Sequence, residues 1–303
     1  YEMSASLVGS EMCIRDRKGT VQIEQLFQAY INSPKATIRL KQTTVSTYWR
    51  NFERYIRPFF QDAKRVDNAL VSAFHCHLAS FLSPKTTADV LGLLSEILSY
   101  SKIEVDIYKP VCYAPDIVIF SKREWKRLEE YCIAHLDFLT FGILLAMYSG
   151  IRPGELSAAQ CRHIDVSCAI FKVRFTMQRI KNPDPSGPKT KVIIDTPKSK
   201  KSIRDIPLVD DLVLLARNLY QGIPPNAFLL TGEQGRFMEP RLLEDRYAKI
   251  LEHLKIKGKN LYSIRHTFAT TFYQKTHDVK SLSEILGHSD VCLLYTSDAA
   301  DDM

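Results

Sequence analysis

The strongest constraint on this chain is the stretch Phe138 to Ser149, FLTFGILLAMYS, which is apolar on almost every side of a helix. Such a helix has no face to offer water, so other elements must wrap it and it must stand in the middle of a core. It is too short to cross a bilayer, and no other apolar run in the chain is long enough. Gly150 ends it, and Pro153 suits the first turn of a following helix, where the missing N–H costs little. Between the two lies Arg152, a fixed charge next to the most apolar part of the chain.

A length of 303 residues predicts about two domains. The first is read as four helices. Val21 to Asn32 spaces Ile23, Leu26, Phe27 and Tyr30 at helical period, and Thr44 to Phe60 does the same with Tyr48, Phe52 and Ile56. Arg65 to Phe81 is the third, and Ser83-Pro84 caps a fourth that runs to Tyr100. Lys109 to Pro115, with two prolines, reads as a linker.

The second domain opens on Ser121, with Glu124 completing a capping box, and a helix to Ala134. After the apolar helix, short strands are expected at Cys168 to Phe175, Lys191 to Thr196 and Ser202 to Pro207, with a loop from Lys181 to Lys189. Lys198, Lys200, Lys201 and Arg204 crowd the connection of the last two strands, which predicts a protruding basic hairpin suited to phosphate contact. Asp210 to Tyr220, Glu239 to Leu254, Leu261 to Thr276 and Val279 to Leu286 read as helices. The fold class is therefore mainly α with a small antiparallel β-sheet.

Three segments carry candidate chemistry: SGIRPGEL (Ser149 to Leu156), SIRHTFATTF (Ser263 to Phe272) and SLSEILGHSD (Ser281 to Asp290). Two arginines, an intervening lysine and a histidine are what a protein needs to hold and polarise a phosphodiester without a metal, since Arg presents a planar, permanently charged fork of donors. In this order, with the lysine hairpin between them, the segments resemble the tyrosine recombinases, the phage-integrase family, and in particular the integrases of mobile elements. The resemblance covers about residues 20 to 291.

It implies an N-terminal four-helix, SAM-like core-binding domain at 18–108, a linker at 109–117 and an integrase-type catalytic domain at 118–291. It also implies a site in which Arg152 and Arg265 clamp a phosphate, Lys198 gives a proton to the departing 5′ oxygen, and His288 assists. Structural alternatives exist for each: an ion pair of Arg152 with Glu155, and a helix-dipole role for His288. Tyr262 is a departure, because the family commonly has His three residues before the second arginine. A phenol hydrogen-bonds phosphate but does not shuttle protons near neutrality as imidazole does.

The resemblance places a nucleophilic tyrosine about nine residues past His288. Tyr295 lies near that place, yet residues 292–297 can be encoded by the transposase mosaic end of sequencing libraries, and Met12 to Arg17 by its reverse complement. Residues 1–17 and 292–303 are accordingly expected to be adapter sequence, with Tyr295 not the nucleophile, so the chain as written is expected to lack its native nucleophile segment and to be inactive.

The chain carries a net charge of +7; residues 18–291 alone hold 39 basic against 28 acidic residues, +11. That excess favours a polyanionic partner. The resemblance implies double-stranded DNA, a homotetramer on it, cytoplasmic location and no cofactor. The cysteines between the two ends are odd in number and lack Cys-x-x-Cys spacing, so neither a disulfide framework nor zinc is indicated. His75-Cys76-His77 is no metal site either, because neighbouring helical residues diverge by about 100°. Two other readings stay open: a type IB topoisomerase-like DNA relaxase, and an integrase-derived DNA-binding regulator without catalysis.

Overall fold

The computed structural model describes residues 22–113, 116–182, 186–197 and 199–287, with the backbone alone at Lys200. The chain divides into two compact units: Tyr1–Tyr113 together with Ile180–Thr190, and Ala114–Arg179 together with Lys191–Met303.

The first unit is helical: α1 (Ile23–Ile31), α2 (Pro34–Arg39), α3 (Gln42–Asn51), α4 (Arg57–Phe60), α5 (Asn68–Ala79) and α6 (Pro84–Tyr100). The expected long second helix is present as α3 and α4, joined by one wide π-turn over Phe52–Ile56. Pro58 gives the reason. It has no N–H for the α ladder and its ring crowds the preceding turn, and a wider turn relieves both. The short helix α2 was not expected. Its signal was present: the Ser33 side chain accepts from the Ala36 N–H ahead of Pro34, and Ser83 with Pro84 starts α6 in the same way. Aromatic rings fill the centre. Phe27 stacks on Phe52 at 4.0 Å and meets the edge of Trp49 at 4.8 Å, while Phe74 packs on Phe59 and Phe60.

The second unit is built around α8 (Phe138–Ser149), whose Phe141, Ile143, Leu144, Leu145 and Met147 are all buried. Helices α7 (Lys122–Ala134), α9 (Pro153–Ser157), α10 (Asp210–Leu219), α11 (Pro240–His253), α12 (Leu261–Thr276) and α13 (Val279–Leu286) complete its helical part. The capping box at Ser121 and Glu124 forms as the sequence predicts.

Strands β1 (Ile164–Asp165), β2 (Ile170–Val173) and β5 (Arg204–Pro207) make an antiparallel sheet in the order β1-β2-β5, and β3 (Thr176–Lys181) pairs with β4 (Thr190–Asp195). Two expectations are corrected here. The stretch before β2 is a turn, because Ala169 takes a left-handed φ of 52°. The two lysine-flanking strands do not pair with each other: β4 pairs with the unforeseen β3, and β5 with β2, placing Arg204 opposite Val173 and Ile206 opposite Phe171. The alternation along β5 puts Arg204 and Ile206 on the buried face, so Arg204 is not part of an exposed basic cluster.

Candidate active site

Arg152 stands where α8 has just ended and α9 begins. Gly150 takes the left-handed conformation (φ 60°) that closes α8, and a Cβ there would lie 2.6 Å from Phe268 and 2.8 Å from Leu286, so both the turn and the packing require glycine. The chain then turns into α9 with Arg152 at its N-cap. The Glu155 carboxylate reaches back to the Arg152 N–H (3.1 Å) and accepts from its Nη1 (2.8 Å). Arg265 comes from the second turn of α12 and is 6 % exposed. Its Nη1 donates to the Gly150 carbonyl (2.6 Å) and its Nη2 to the Leu286 carbonyl (2.9 Å).

The two arginines meet at the end of α13. Arg152 Nη2 donates to the Gly287 carbonyl at 3.3 Å, one residue beyond the carbonyl held by Arg265. Arg204 Nε donates to the carbonyl of Ile285, and Ser202 Oγ to that of Gly287 (3.4 Å). Three guanidiniums thus take three successive carbonyls, Ile285, Leu286 and Gly287. The last carbonyls of a helix lack intrahelical partners and carry the negative end of its dipole, which cations stabilise. Gly287 is also left-handed (φ 66°), with its missing side chain facing Arg204 and Ser202 at 3.1 Å.

Glu155 is the one carboxylate in this cluster among the described residues. It is 3 % exposed and bridges two arginines: Arg152, and Arg204, which grips it with Nη1 on Oε1 (3.1 Å) and Nη2 on Oε2 (2.9 Å). Burial opposes its ionisation, but the hydrogen bonds and charge of Arg204, then those of Arg152, outweigh it and hold Glu155 below the usual carboxylate range. Burial, reinforced by the charge of Arg152, lowers Arg265 to about 9, which leaves it protonated at neutral pH. Among the described residues, three cations against one carboxylate leave a positive excess at a partly dehydrated spot. The Nη donors of Arg152 and Arg265 are turned to Glu155 and to the carbonyls of Gly150, Leu286 and Gly287.

The sequence-derived residues fall unevenly on this picture. Arg152 and Arg265, 113 positions apart, are brought together by α13. Tyr262 lies on the first turn of α12 and is half exposed. Neighbouring His266 is partly buried, and burial with the Arg265 charge lowers its proton affinity. Lys198, His288 and Tyr295 lie outside the described residues. The sequence reading missed Arg204 as a partner of Glu155; the available signal was its period-two register with Ile206.

Residues 119–296, more than half of the chain, match the phage integrase family. The chain belongs to that family. It is 28% identical over 240 residues to a tyrosine recombinase XerC-like protein of Caldanaerobacter subterraneus subsp. tengcongensis, covering 70% of this chain and 61% of that protein. Against tyrosine recombinase XerC of Pseudomonas fluorescens it is 27% identical over 168 residues, covering 54% of this chain and 48% of the relative. The chain therefore spans about half to three fifths of the length of these relatives.

Among solved structures, the Tn1549 transposon integrase in complex with transposon right end DNA is similar with a TM-score of 0.69, over 92% of this chain and 95% of that one, at 16% identity. A lambda integrase dimer bound to a COC′ core site gives 0.65 over 94% and 80%, at 12% identity. At these identities the likeness establishes the family fold, with its mainly helical make-up and small antiparallel sheets.

Proposed function

We propose that this protein is a site-specific DNA recombinase of the integrase kind, acting in the cytoplasm on double-stranded DNA and assembling there as a homotetramer. The reading rests on one observation above the others: within the region matching the family, Arg152 and Arg265 donate to adjacent carbonyls, one residue short of His288. A tyrosine C-terminal to His288 loses its phenolic proton to water and attacks the scissile phosphorus. A 3′-phosphotyrosyl bond forms, the bond to the 5′ oxygen breaks, and that oxygen leaves as a hydroxyl after taking a proton from Lys198. Arg152 and Arg265 stabilise the charge that builds on the non-bridging oxygens, and His288 assists. Tyr262 supplies a hydrogen bond rather than a proton relay. Because the phosphotyrosyl bond conserves the energy of the broken one, another strand's 5′ hydroxyl can reverse the step and complete an exchange.

The test is a covalent adduct on nicked duplexes taken from the DNA flanking the coding sequence, in which loss of a short strand traps the intermediate. Arg152→Ala and Arg265→Ala should each reduce adduct formation by about a thousandfold, the scale of losing a transition-state charge donor. An adduct that survives both substitutions overturns the clamp. Two further arms address the tyrosine. If the adduct forms only when residues 292–303 are replaced by the genomic continuation, the adapter reading stands. If it forms with the present residues and Tyr295→Phe abolishes it, Tyr295 is the nucleophile. DNA binding without any adduct in either form favours the integrase-derived regulator.

A further inference from the structure

The clamp arginines are themselves held, and the residue that holds the arrangement together is one the phosphate chemistry does not call for. Arg204 is 8 % exposed and comes from the inward face of β5. Its guanidinium grips both oxygens of Glu155, donates to the Ser202 carbonyl (3.0 Å) through Nη1, and donates to the Ile285 carbonyl through Nε. One planar group therefore ties three separate pieces of chain: α9, through the carboxylate that also orients Arg152; the turn before β5, at Ser202; and the end of α13, one residue from the carbonyl held by Arg265. The last two of these pieces lie beside the sequence positions of Lys198 and His288.

We infer that Arg204 is a positioning residue: it fixes Arg152, through Glu155, and the Ile285–Gly287 turn in one mutual register without touching the phosphate. Its fork makes this possible. Four N–H bonds in one plane set the angles as well as the distances between three backbones, whereas a lysine at this place neutralises Glu155 but has a single rotating head and cannot hold all three. The catalytic consequence rests on the recombinase reading above; the structural consequence does not.

The experiment uses the full chain with Arg204→Lys, which keeps a cation beside Glu155 and so preserves the fold, and Arg204→Gln as the stronger change. Amide hydrogen exchange is followed without DNA. In Arg204→Lys, peptides spanning 150–157 and 282–287 should exchange about tenfold faster, while peptides of α5 and α6 stay as in the parent chain. Where the adduct is formed, its single-turnover rate should drop by about tenfold or more with duplex affinity changed less than twofold, a split that general loss of folded protein does not produce. Unchanged exchange at both peptides in Arg204→Lys and Arg204→Gln overturns the inference. So does adduct formation at the parent rate in both. Faster exchange, with no adduct from either the present chain or the version carrying the genomic continuation of residues 292–303, upholds the positioning role and sinks the recombinase reading instead.

Discussion

The first unit keeps charge out of its interior. Phe27, Phe52, Phe60 and Phe74 are fully buried there, and the buried polar side chains among the described residues are Ser33, Asn51 and Thr87. The second unit has an equally apolar centre around α8, yet it also buries Glu155, Arg204, Arg265 and His163. Ions are costly to take out of water and stay charged inside only when tightly paired. The fold accepts that cost in the second unit and not in the first, and the difference teaches that the second unit holds its ions only by pairing Glu155 with Arg152 and Arg204 and by giving Arg265 backbone carbonyls.

Each unit holds one tryptophan, Trp49 in the first and Trp125 in the second, so the contrast can be broken open optically. The largest effect should come from Glu155→Ala. It leaves Arg204 buried without its carboxylate, a change expected to cost about 3–5 kcal/mol. Denaturant titrations of single-tryptophan forms should show the Trp125 midpoint falling steeply and the Trp49 midpoint holding. Equal loss in both would dissolve the distinction.

Acid should separate the units next. Burial, helped by the charges of Arg162 and Arg174, pushes the His163 imidazole from its usual 6.5 down to about 4. The unfolded chain therefore binds this proton first, and stability in the second unit falls as pH drops from about 6.5 towards 4. Glu155 adds to the same limb at lower pH: held below its usual 4.5, it contributes stability above that value and loses it as pH falls through its folded one. The Trp125 midpoint should decline across this window more than the Trp49 midpoint. His163→Gln should flatten the upper part of the decline and leave the lower part, which belongs to Glu155.

The smallest effect should erase the contrast altogether. Ser83 caps α6 in the first unit and Ser121 caps α7 in the second, each accepting a backbone N–H three residues on. Alanine at either position should cost about 1 kcal/mol in its own unit. A cap is a local device and is indifferent to what its unit buries. Markedly unequal costs would mean that the two cores differ in more than their ions.

These local devices are also what the amino-acid order determined by itself. Ser83-Pro84, Ser121 with Glu124, Gly150 followed by Pro153, and the all-apolar Phe138–Ser149 each set an element boundary from within a few residues, because capping, backbone freedom and side-chain periodicity act at that range. The motifs around Arg152 and Arg265 were legible by their resemblance to a known family and not by local physics. Strand partnership was not. Which of β3 and β5 lies beside β4 or β2 depends on closing segments tens of residues apart, and short strands carry too little pattern to choose. Nor did the order of residues reveal that Arg204 faces inward to share Glu155 with Arg152, or that α13 ends where three guanidiniums can take its last carbonyls. A buried charge is tolerated only where distant partners arrive to satisfy it, and only the tertiary structure brings them there.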